Sequence, residues 1–356
     1  MAKKVTVGMS GGVDSSVAAL LLLEQGYDVT GVTLRLRGGR LAAGTGAAGE
    51  RDIEDARRVC GVLGIEHRVL DLSDAFCRCV VDPFVSAYLA GRTPNPCVLC
   101  NKTIKFGAML DAALESGAEY VATGHYAHRE YDEATGRWQL YTGGSAKDQS
   151  YVLYSLSQHQ LAHTLFPLWG MEKEQVRRLA EEHRLPVAAK GDSMEICFVP
   201  RDDHAAFIED YTGAPMQPGD FVDLRGQVLG RHKGLGRYTI GQRKGLGVAF
   251  GRPLYVVRLD AQRNEVVLGE EGSQMASALL AGEMNYLSIA EPDKPLRLQA
   301  KIRYQAAAAP ALLTPLPGGR AEIRFDAPQR SITPGQAVVL YDDNLMLGGG
   351  TILSGC

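Results

Sequence analysis

The sequence has 356 residues, a formal net charge of −3, 45% hydrophobic residues and 22% charged residues. This length favours two or three domains, and the net acidity argues against nonspecific nucleic-acid binding by the whole surface. No apolar run reaches the length of a membrane span, and seven thinly spread cysteines do not resemble a secreted disulfide framework. We therefore expect a cytoplasmic protein without a membrane partner, in which paired cysteines serve metal binding or catalysis.

The first half of the chain alternates between strand and helix patterns, which predicts a doubly wound parallel α/β sheet with sites at the carboxyl ends of its strands. The Gly/Ala-rich stretch 38–49 is expected to be a flexible loop without chemistry. The predicted strands lie at 3–9, 27–36, 66–72 and 119–126, and the predicted helices lie at 15–25, 53–65 and 173–185.

After about residue 210 the helical periodicity fades and short strands appear, first at 253–259 and 264–269. Strict alternation of apolar and polar residues follows at 296–305 and 321–325, as expected for strands with one face in water. The chain is therefore predicted to contain a small central β-rich domain and a C-terminal β-barrel. We expect the catalytic domain at 1–211, the central domain at 212–275 and the barrel at 276–356.

The most informative short motif is GMSGGVDSS at 8–16, between the first strand and the first helix. In this geometry, backbone N–H groups and the helix dipole bind phosphate, and the glycines permit close approach. Asp14 is placed to hold Mg²⁺ against the phosphates of ATP. The Gly-Lys-Ser/Thr ending of a Walker A loop is missing, and the turn instead resembles the PP-loop of ATP pyrophosphatases. The predicted ATP-binding residues in this motif are Gly8, Met9, Ser10, Gly11, Gly12, Val13, Asp14 and Ser15.

Two downstream segments are candidates to complete this site. Gly124 and His125 lie at the end of the fourth predicted strand, where doubly wound folds bind ligands. The segment 147–151 offers a cation, a carboxylate and an amide, although each of these is equally well explained by capping or by a surface position.

Three cysteines lie in predicted loops rather than in the core. Cys97 and Cys100 form a C-x-x-C pair in TPNPCVLCNKTIKF, and Cys197 lies in GDSMEICFVP. A full zinc site needs four ligands and no second C-x-x-C exists, so zinc would need a borrowed His or Asp. The three cysteines could instead bind an iron–sulfur cluster with one open iron. Alternatively, two of them could form a catalytic pair, and the spacing leaves these alternatives open.

The segment 225–258 is strongly basic, although the chain as a whole is acidic. It contains eight arginines and lysines and no acidic residue, which is the pattern of a contact with a phosphate backbone, although a solvated face explains it equally well. The eight cations are Arg225, Arg231, Lys233, Arg237, Arg243, Lys244, Arg252 and Arg258.

Together with the PP-loop, five further motifs make the chain resemble the tRNA-specific 2-thiouridylase family over essentially its whole length. These motifs are TPNPCVLCNKTIKF, ATGHYAH, KDQSYVLYSLSQHQLAHTLFPL, GDSMEICFVP and GRYTIGQRKGLGV. The resemblance implies an enzyme that uses ATP and Mg²⁺ to adenylate the C2 oxygen of the wobble uridine, which sulfur then replaces. It implies as partners the anticodon loops of the tRNAs for Lys, Glu and Gln, and a relay protein that donates persulfide sulfur.

The same resemblance implies a role for individual residues. Cys197 matches the cysteine that carries the persulfide, and Cys100 matches the nucleophile that frees the sulfur or closes a disulfide with Cys197. Both thiols need thiolate character, for which Lys102 and Lys105 are candidate neighbours. Leu34 and Gly124 match further ATP contacts, and Asn95, Pro96 and Cys97 match the segment that meets the target base. Lys147, Asp148, Gln149, Arg303 and Tyr304 match tRNA contacts, and His125 and Gln336 match positions for tRNA discrimination.

Cys97 departs from the family pattern, because studied members carry Asp there, and this puts a carboxylate acid/base role in doubt. It motivates an alternative in which Cys97, Cys100 and Cys197 hold a [4Fe–4S] cluster, as in other PP-loop tRNA thiolases. Two other classes share some of these features. A PP-loop amidotransferase or synthetase would leave Cys100 and Cys197 unexplained, and the complete loop argues against a non-catalytic tRNA-binding protein.

Overall fold

The structure is a computed structural model that describes residues 2–38, 41, 48–191, 196–247, 251 and 253–355. Across these ranges, no helix combines the length and the apolar character that crossing a membrane requires. Most of the Gly/Ala-rich stretch, at 39–40 and 42–47, lies outside the described residues, and so do Arg252 and 192–195.

A five-stranded parallel sheet forms the centre of the N-terminal part. Its order is β3-β2-β1-β4-β7, and β1 pairs on one side with β2 and on the other with β4. Val5 and Val7 of β1 are almost fully buried, as expected for a central strand that helices cover on both faces. The strands are β1 (Lys4–Gly8), β2 (Asp28–Arg35), β3 (Glu66–Asp71), β4 (Tyr120–Ala122) and β7 (Thr164–Leu165).

Nine α-helices accompany this sheet among the described residues. The first, α1, is apolar almost all round and is buried against β1 and β2, and it ends before Gly26, whose φ of +82° suits glycine. The helices are α1 (Val13–Glu24), α2 (Ala48–Leu63), α3 (Ser73–Phe76), α4 (Asp82–Leu89), α5 (Pro96–Leu99), α6 (Met109–Glu115), α7 (Gln158–Ala162), α8 (Lys173–Glu182) and α9 (His204–Thr212).

Two further helical segments, Cys77–Val81 and Cys100–Ala108, have π-helical hydrogen bonding, and neither was predicted. In a π-helix the bonds run from residue i to i+5, so the backbone is wider than in an α-helix. Short 3₁₀ turns occur at Ser150–Val152, Pro200–Asp202 and Leu235–Arg237.

The central part of the chain forms a four-stranded sheet of order β10-β11-β8-β9 over a small core that contains Phe221, Val256 and Val266. Its strands are β8 (Gly219–Val222), β9 (Val228–His232), β10 (Tyr255–Asp260) and β11 (Glu265–Gly269).

The C-terminal strands close into a six-stranded barrel, because β12 pairs with both β15 and β17. Leu298 and Ala300 of β13 point into the core cluster of the barrel, as the alternation predicted. The barrel strands are β12 (Met275–Asn285), β13 (Leu296–Lys301), β14 (Ala309–Leu316), β15 (Arg320–Arg330), β16 (Ala337–Asp342) and β17 (Leu345–Gly355).

An unpredicted hairpin joins the N-terminal part to the barrel. Its strands, β5 (Ala127–Asp132) and β6 (Arg137–Thr142), extend the barrel sheet because β6 pairs with β17 at Leu140 and Met346. The predicted fold class is confirmed: a doubly wound parallel sheet, a central β-rich domain and a C-terminal barrel. The boundaries after residues 211 and 275 stay predictions.

Candidate active site

The loop between β1 and α1 has the geometry of a phosphate-binding turn. Gly11 has a φ of +70°, and a Cβ at this position would lie 2.5 Å from the carbonyl oxygen of Asp52, so only glycine fits. The N-cap of α1 is Gly12, which offers no side-chain cap to the first N–H groups of the helix. Those groups are therefore available to an anionic ligand.

Hydroxyl groups line the same turn. Ser15 Oγ accepts from the backbone N–H of Ser10 at 3.2 Å and lies 3.1 Å from Ser10 Oγ. Ser16 Oγ donates to the carbonyl of Gly12 at 2.8 Å, which holds the start of α1. The predicted motif therefore folds as one compact unit.

Asp14 lies on the first turn of α1, and its Oδ1 accepts from the hydroxyl of Tyr126 at 2.8 Å and from Lys173 Nζ at 2.7 Å. A carboxylate oxygen at this position is the type of ligand that Mg²⁺ prefers beside bound phosphates. Asp14 fits the predicted Mg²⁺ role, in which the ion would neutralise phosphate charge.

Two lysines that were not predicted from the sequence contact this loop. Besides Lys173, Lys190 Nζ donates to the carbonyl of Gly11 at 2.9 Å and to Asp52 and Asp55 at 2.8 and 2.9 Å. Burial alone would raise the pKa of Asp55, but hydrogen bonds from Lys190 and Arg58 outweigh it and lower that pKa. No sequence signal ties either lysine to the loop, because both contacts span far more than a hundred residues.

The remaining predicted ATP contacts lie beside the turn. A Cβ on Gly124 would sit 2.7 Å from the carbonyl carbon of Asp14, so the end of β4 lies directly against the start of α1. Gly8 ends β1, and Leu34 lies on β2 after Thr33, whose Oγ1 donates to the carbonyl of Met9 at 2.9 Å. The structure therefore brings these positions to one edge of the sheet, and their contacts with ATP stay predictions.

The predicted base-contacting segment begins α5. Asn95 caps this helix, since its Oδ1 accepts from the backbone N–H of Cys97 at 3.1 Å. Cys97 is exposed, whereas Cys100 is 8% exposed at the start of the π-helical segment. The guanidinium of Arg37 donates to the carbonyl oxygen of Cys197, and Cys197 is exposed.

The three thiols influence one another's ionisation, so they share one electrostatic neighbourhood. Burial raises the pKa of Cys100 to about 12, and its thiol is further affected by Lys105, which lowers the pKa, and by Cys197 and Cys97, which raise it. Desolvation also raises the pKa of Cys197, although the residue as a whole is exposed, while Lys105 and Arg37 act in the opposite direction. Of the two candidate lysines, Lys105 is the one that acts on both thiols.

The iron–sulfur alternative finds no support in this arrangement. In the part of the chain that the structure describes, no three His, Cys, Asp or Glu side chains group closely enough to hold a metal ion. Cys97, Cys100 and Cys197 all belong to that part, and all three are free thiols. As folded here, they do not form the ligand set that a [4Fe–4S] cluster needs.

The predicted tRNA contacts fall into two groups. Asp148 is engaged locally, because its carboxylate accepts from the N–H groups of Gly143 and Ser150 at 2.8 and 3.1 Å. Gln149 Oε1 accepts from the backbone N–H of Tyr126, and the backbone N–H of Gln149 donates to the carbonyl of Tyr126. The backbone N–H of Lys147 donates to Ser145 Oγ. The capping explanation therefore fits the Asp148 and Gln149 side chains, and their tRNA contacts stay predictions.

Three other predicted contacts, Arg303, Tyr304 and Gln336, line an open cavity of about 550 Å³ where the three parts of the chain meet. Thr93 and Gln242 lie in the same wall. Arg303 Nη2 donates to the carbonyl of Ser331 at 2.7 Å, and Gln336 donates to the carbonyl of Thr93 at 3.1 Å. The hydroxyl of Tyr304 donates to the carbonyl of Asp148 at 3.0 Å, which joins the two groups.

His125 is buried, and its Nδ1 lies 2.7 Å from Thr123 Oγ1 while its ring packs near Phe106 and Phe166. Burial, together with Lys105, lowers its pKa well below the usual value, so the ring is neutral. Its predicted part in tRNA discrimination stays a prediction.

The basic segment 225–258 is partly neutralised by its surroundings. Arg231 pairs with Asp220 at 2.9 Å, Arg237 with Glu209 at 2.7 Å, and Arg258 with Asp260 at 3.0 Å. Arg243 and Lys244 lie on an exposed loop and are the better candidates for a phosphate contact.

Family models match three consecutive segments of the chain. Their descriptions are tRNA methyl transferase HUP domain over residues 3–201, tRNA methyl transferase PRC-barrel domain over 205–270, and Aminomethyltransferase beta-barrel domain over 276–352.

Two relatives that match nearly the whole chain are described as tRNA-specific 2-thiouridylase MnmA. The relative from Acetivibrio thermocellus is 49% identical over 98% of this chain and 99% of its own, and the one from Heliobacterium modesticaldum is 51% identical over 99% and 93%. A solved 4-thiouridine synthetase–RNA complex with bound ATP matches 59% of this chain and 50% of its own. Its identity is 17% and its TM-score 0.35, too low for an inference.

Proposed function

Because the chain belongs to the tRNA-specific 2-thiouridylase family, we propose that it replaces O2 of the wobble uridine with sulfur in the tRNAs for Lys, Glu and Gln. The chain is thus a tRNA sulfurtransferase that uses ATP. A cytoplasmic location, where thiols stay reduced, and a relay protein as the sulfur donor belong to the same proposal.

The observation that carries the proposal is the combination of two features in one chain. A complete phosphate-binding turn holds Asp14 at the start of α1, and the fold brings Cys100 and Cys197 into electrostatic contact from distant parts of the sequence. An adenylating amidotransferase would need the first feature but would not need the two thiols.

In the first step, ATP activates the base. The uracil C2 oxygen attacks the α-phosphorus of ATP, the bond to the β-phosphate oxygen breaks, and pyrophosphate leaves with the bonding electrons while N3 loses its proton. The N–H groups at the start of α1 and the side chains around Asp14 would hold the departing phosphates. The C2 oxygen is then part of AMP, which is a good leaving group.

In the second step, the terminal sulfur of a persulfide on Cys197 attacks C2 and displaces AMP. The Cys100 thiolate then attacks Sγ of Cys197 and breaks the sulfur–sulfur bond, whose electrons stay on the sulfur now bound to C2. N3 takes up a proton to give 2-thiouridine, and the enzyme is left with a Cys100–Cys197 disulfide. A thiol reductant must reduce this disulfide before the next turnover.

The test combines two products in one assay with purified protein, ATP, tRNA and a donor of labelled sulfur. We expect AMP and pyrophosphate to form only with a tRNA that carries uridine at the wobble position, and label to enter that tRNA. Cys197→Ser should abolish labelling, whereas Cys79→Ser should not. Labelling of tRNA by Cys197→Ser at the normal rate would contradict the assigned role of Cys197.

A further inference from the structure

Lys173 lies beside the phosphate-binding turn, and no role follows for it from the sequence motifs. Its Nζ is 2.7 Å from Asp14 Oδ1, and the residue is only 7% exposed. A buried ammonium group is costly unless an anion stays close to it. The position therefore demands an anionic neighbour at every stage of the reaction.

The backbone that carries Lys173 is fixed. Lys173 is the first residue of α8, whose start is held by a capping box between Glu172 and Gln175. Val176 and Ala180 on the same helix are fully buried in the core cluster that also contains Val17 of α1. The long side chain therefore reaches the turn from a rigid base and has freedom only in its own torsions.

Lys190 is the other lysine at the turn. Lys190 contacts two carboxylates, Asp52 and Asp55, and a loop carbonyl, so its charge is balanced by side chains outside the turn. Lys173 contacts Asp14, the residue that fits Mg²⁺. A phosphate bound at the start of α1 would bring anionic oxygens close to this ammonium group.

We propose that Lys173 is a phosphate-binding residue, whose ammonium group moves from Asp14 to the β- and γ-phosphates of ATP and stays with pyrophosphate as it leaves. This inference rests on the proposed function, since it assumes that ATP binds at the turn. The exchange keeps Lys173 paired throughout, and it adds positive charge where the leaving group develops negative charge.

The first test measures binding of ATP, pyrophosphate and AMP to the full-length protein in the presence of Mg²⁺. Lys173→Met should weaken binding of ATP and of pyrophosphate by about 10- to 100-fold, as expected for the loss of a charge-assisted hydrogen bond. AMP, which lacks the β- and γ-phosphates, should change by less than about threefold. Lys173→Arg should retain most of the pyrophosphate affinity, and Lys294→Met, an exposed lysine on the barrel, should bind all three normally.

Two outcomes would overturn the inference. One is a folded Lys173→Met protein that binds pyrophosphate as tightly as the unmodified protein, and the other is an equal loss for AMP and pyrophosphate, which indicates a structural ion pair. The assay contains no tRNA, so its result is separate from the proposed function. If Lys173→Met weakens pyrophosphate binding as expected but the unmodified protein transfers no sulfur to tRNA, only the proposed function is contradicted.

A second test uses the unmodified protein, so it does not depend on the folding of a variant. An ATP analogue with an amine-reactive acyl group on its γ-phosphate acylates lysines that lie next to the bound phosphates. Mass spectrometry should find the acyl group on Lys173, and excess ATP should prevent the labelling. Labelling that ATP prevents but that falls on other lysines and spares Lys173 would overturn the inference.

Discussion

The Cys100 thiol is a poor nucleophile in the free protein, because the residue is 8% exposed and burial raises its pKa to about 12. At neutral pH almost all of it is protonated, whereas the attack on a persulfide needs the thiolate. Arrival of the substrates must therefore lower this pKa, and until then the thiol is protected from unwanted oxidation.

The raised pKa predicts how Cys100 reacts with iodoacetamide. Because the thiolate fraction below the pKa grows tenfold per pH unit, the alkylation rate should rise steadily from pH 7 to pH 10 without reaching a plateau. An ordinary cysteine levels off near a pKa of about 8.5. Peptide mass spectrometry after timed alkylation measures this rate, and a plateau below pH 9 would contradict the burial argument.

At the scale of secondary structure, the π-helical segment Cys100–Ala108 determines which side chains accompany Cys100. In an α-helix, a residue five positions later lies about 140° round the axis from the first. In a π-helix, the bonds run from i to i+5, so Lys105 lies closer to the face of Cys100 than it would in an α-helix. Lys105, and not Lys102, acts on both reactive thiols and on His125.

Removing this cation should make both thiols harder to ionise. Lys105→Met is expected to slow alkylation of Cys100 and Cys197 at pH 8 by about 3- to 10-fold, the effect of a charge a few ångströms away in a partly buried site. Lys102→Met, the matched control on the same segment, should leave both rates unchanged. Equal effects of the two substitutions would contradict the π-helical geometry.

Much of the site was predictable because its residues are contiguous in the sequence. The phosphate-binding turn at 8–16 could be found because a strand, two glycines, an aspartate and a helix follow one another directly. Lys173 and Lys190 could not be found, since only the folded chain brings the start of α8 and the segment after this helix to the turn. The prediction of a loop at Cys97 and Cys100 was wrong, because the nearby prolines at 94 and 96 lie at the start of a helix here: Cys97 lies in α5, and Cys100 is buried in a core cluster at the start of the π-helical segment.

At the scale of the whole molecule, the hairpin of β5 and β6 makes the N-terminal part and the barrel continuous. Asn285 of β12 donates to the carbonyls of Tyr154 and Leu156 at 2.6 and 2.9 Å, and Ser288 Oγ accepts from the N–H of Leu140 at 3.0 Å. The hairpin was not predicted because its partner strand, β17, lies at the far end of the sequence.

Asn285→Ala tests this junction, because it leaves two buried carbonyls without their donor. We expect a loss of about 1–3 kcal/mol in the free energy of unfolding. Arg297→Ala, whose partner Asp326 is also exposed on the outside of the barrel, should cost less than about 0.5 kcal/mol. Urea unfolding followed by circular dichroism compares them, and equal losses would contradict a specific role for the junction.

The central domain should contribute electrostatically to tRNA binding through its exposed loop. Replacing both Arg243 and Lys244 by Gln is expected to weaken tRNA binding and to reduce the slope of log K against log salt by about 1.4 to 1.8. Arg258→Gln removes a cation that Asp260 already pairs, so it should change the slope little. Filter binding at several salt concentrations measures the slopes, and an unchanged slope for the double variant would place the tRNA backbone elsewhere.

The central claim is that Cys197 delivers the sulfur and Cys100 releases it, and a single-turnover experiment tests it most directly. Protein loaded with persulfide is mixed with tRNA and ATP in the absence of reductant, and the tRNA nucleosides and the protein peptides are both analysed by mass spectrometry. We predict one Cys100–Cys197 disulfide for each 2-thiouridine formed. Formation of 2-thiouridine while Cys100 and Cys197 both remain free thiols would contradict the account.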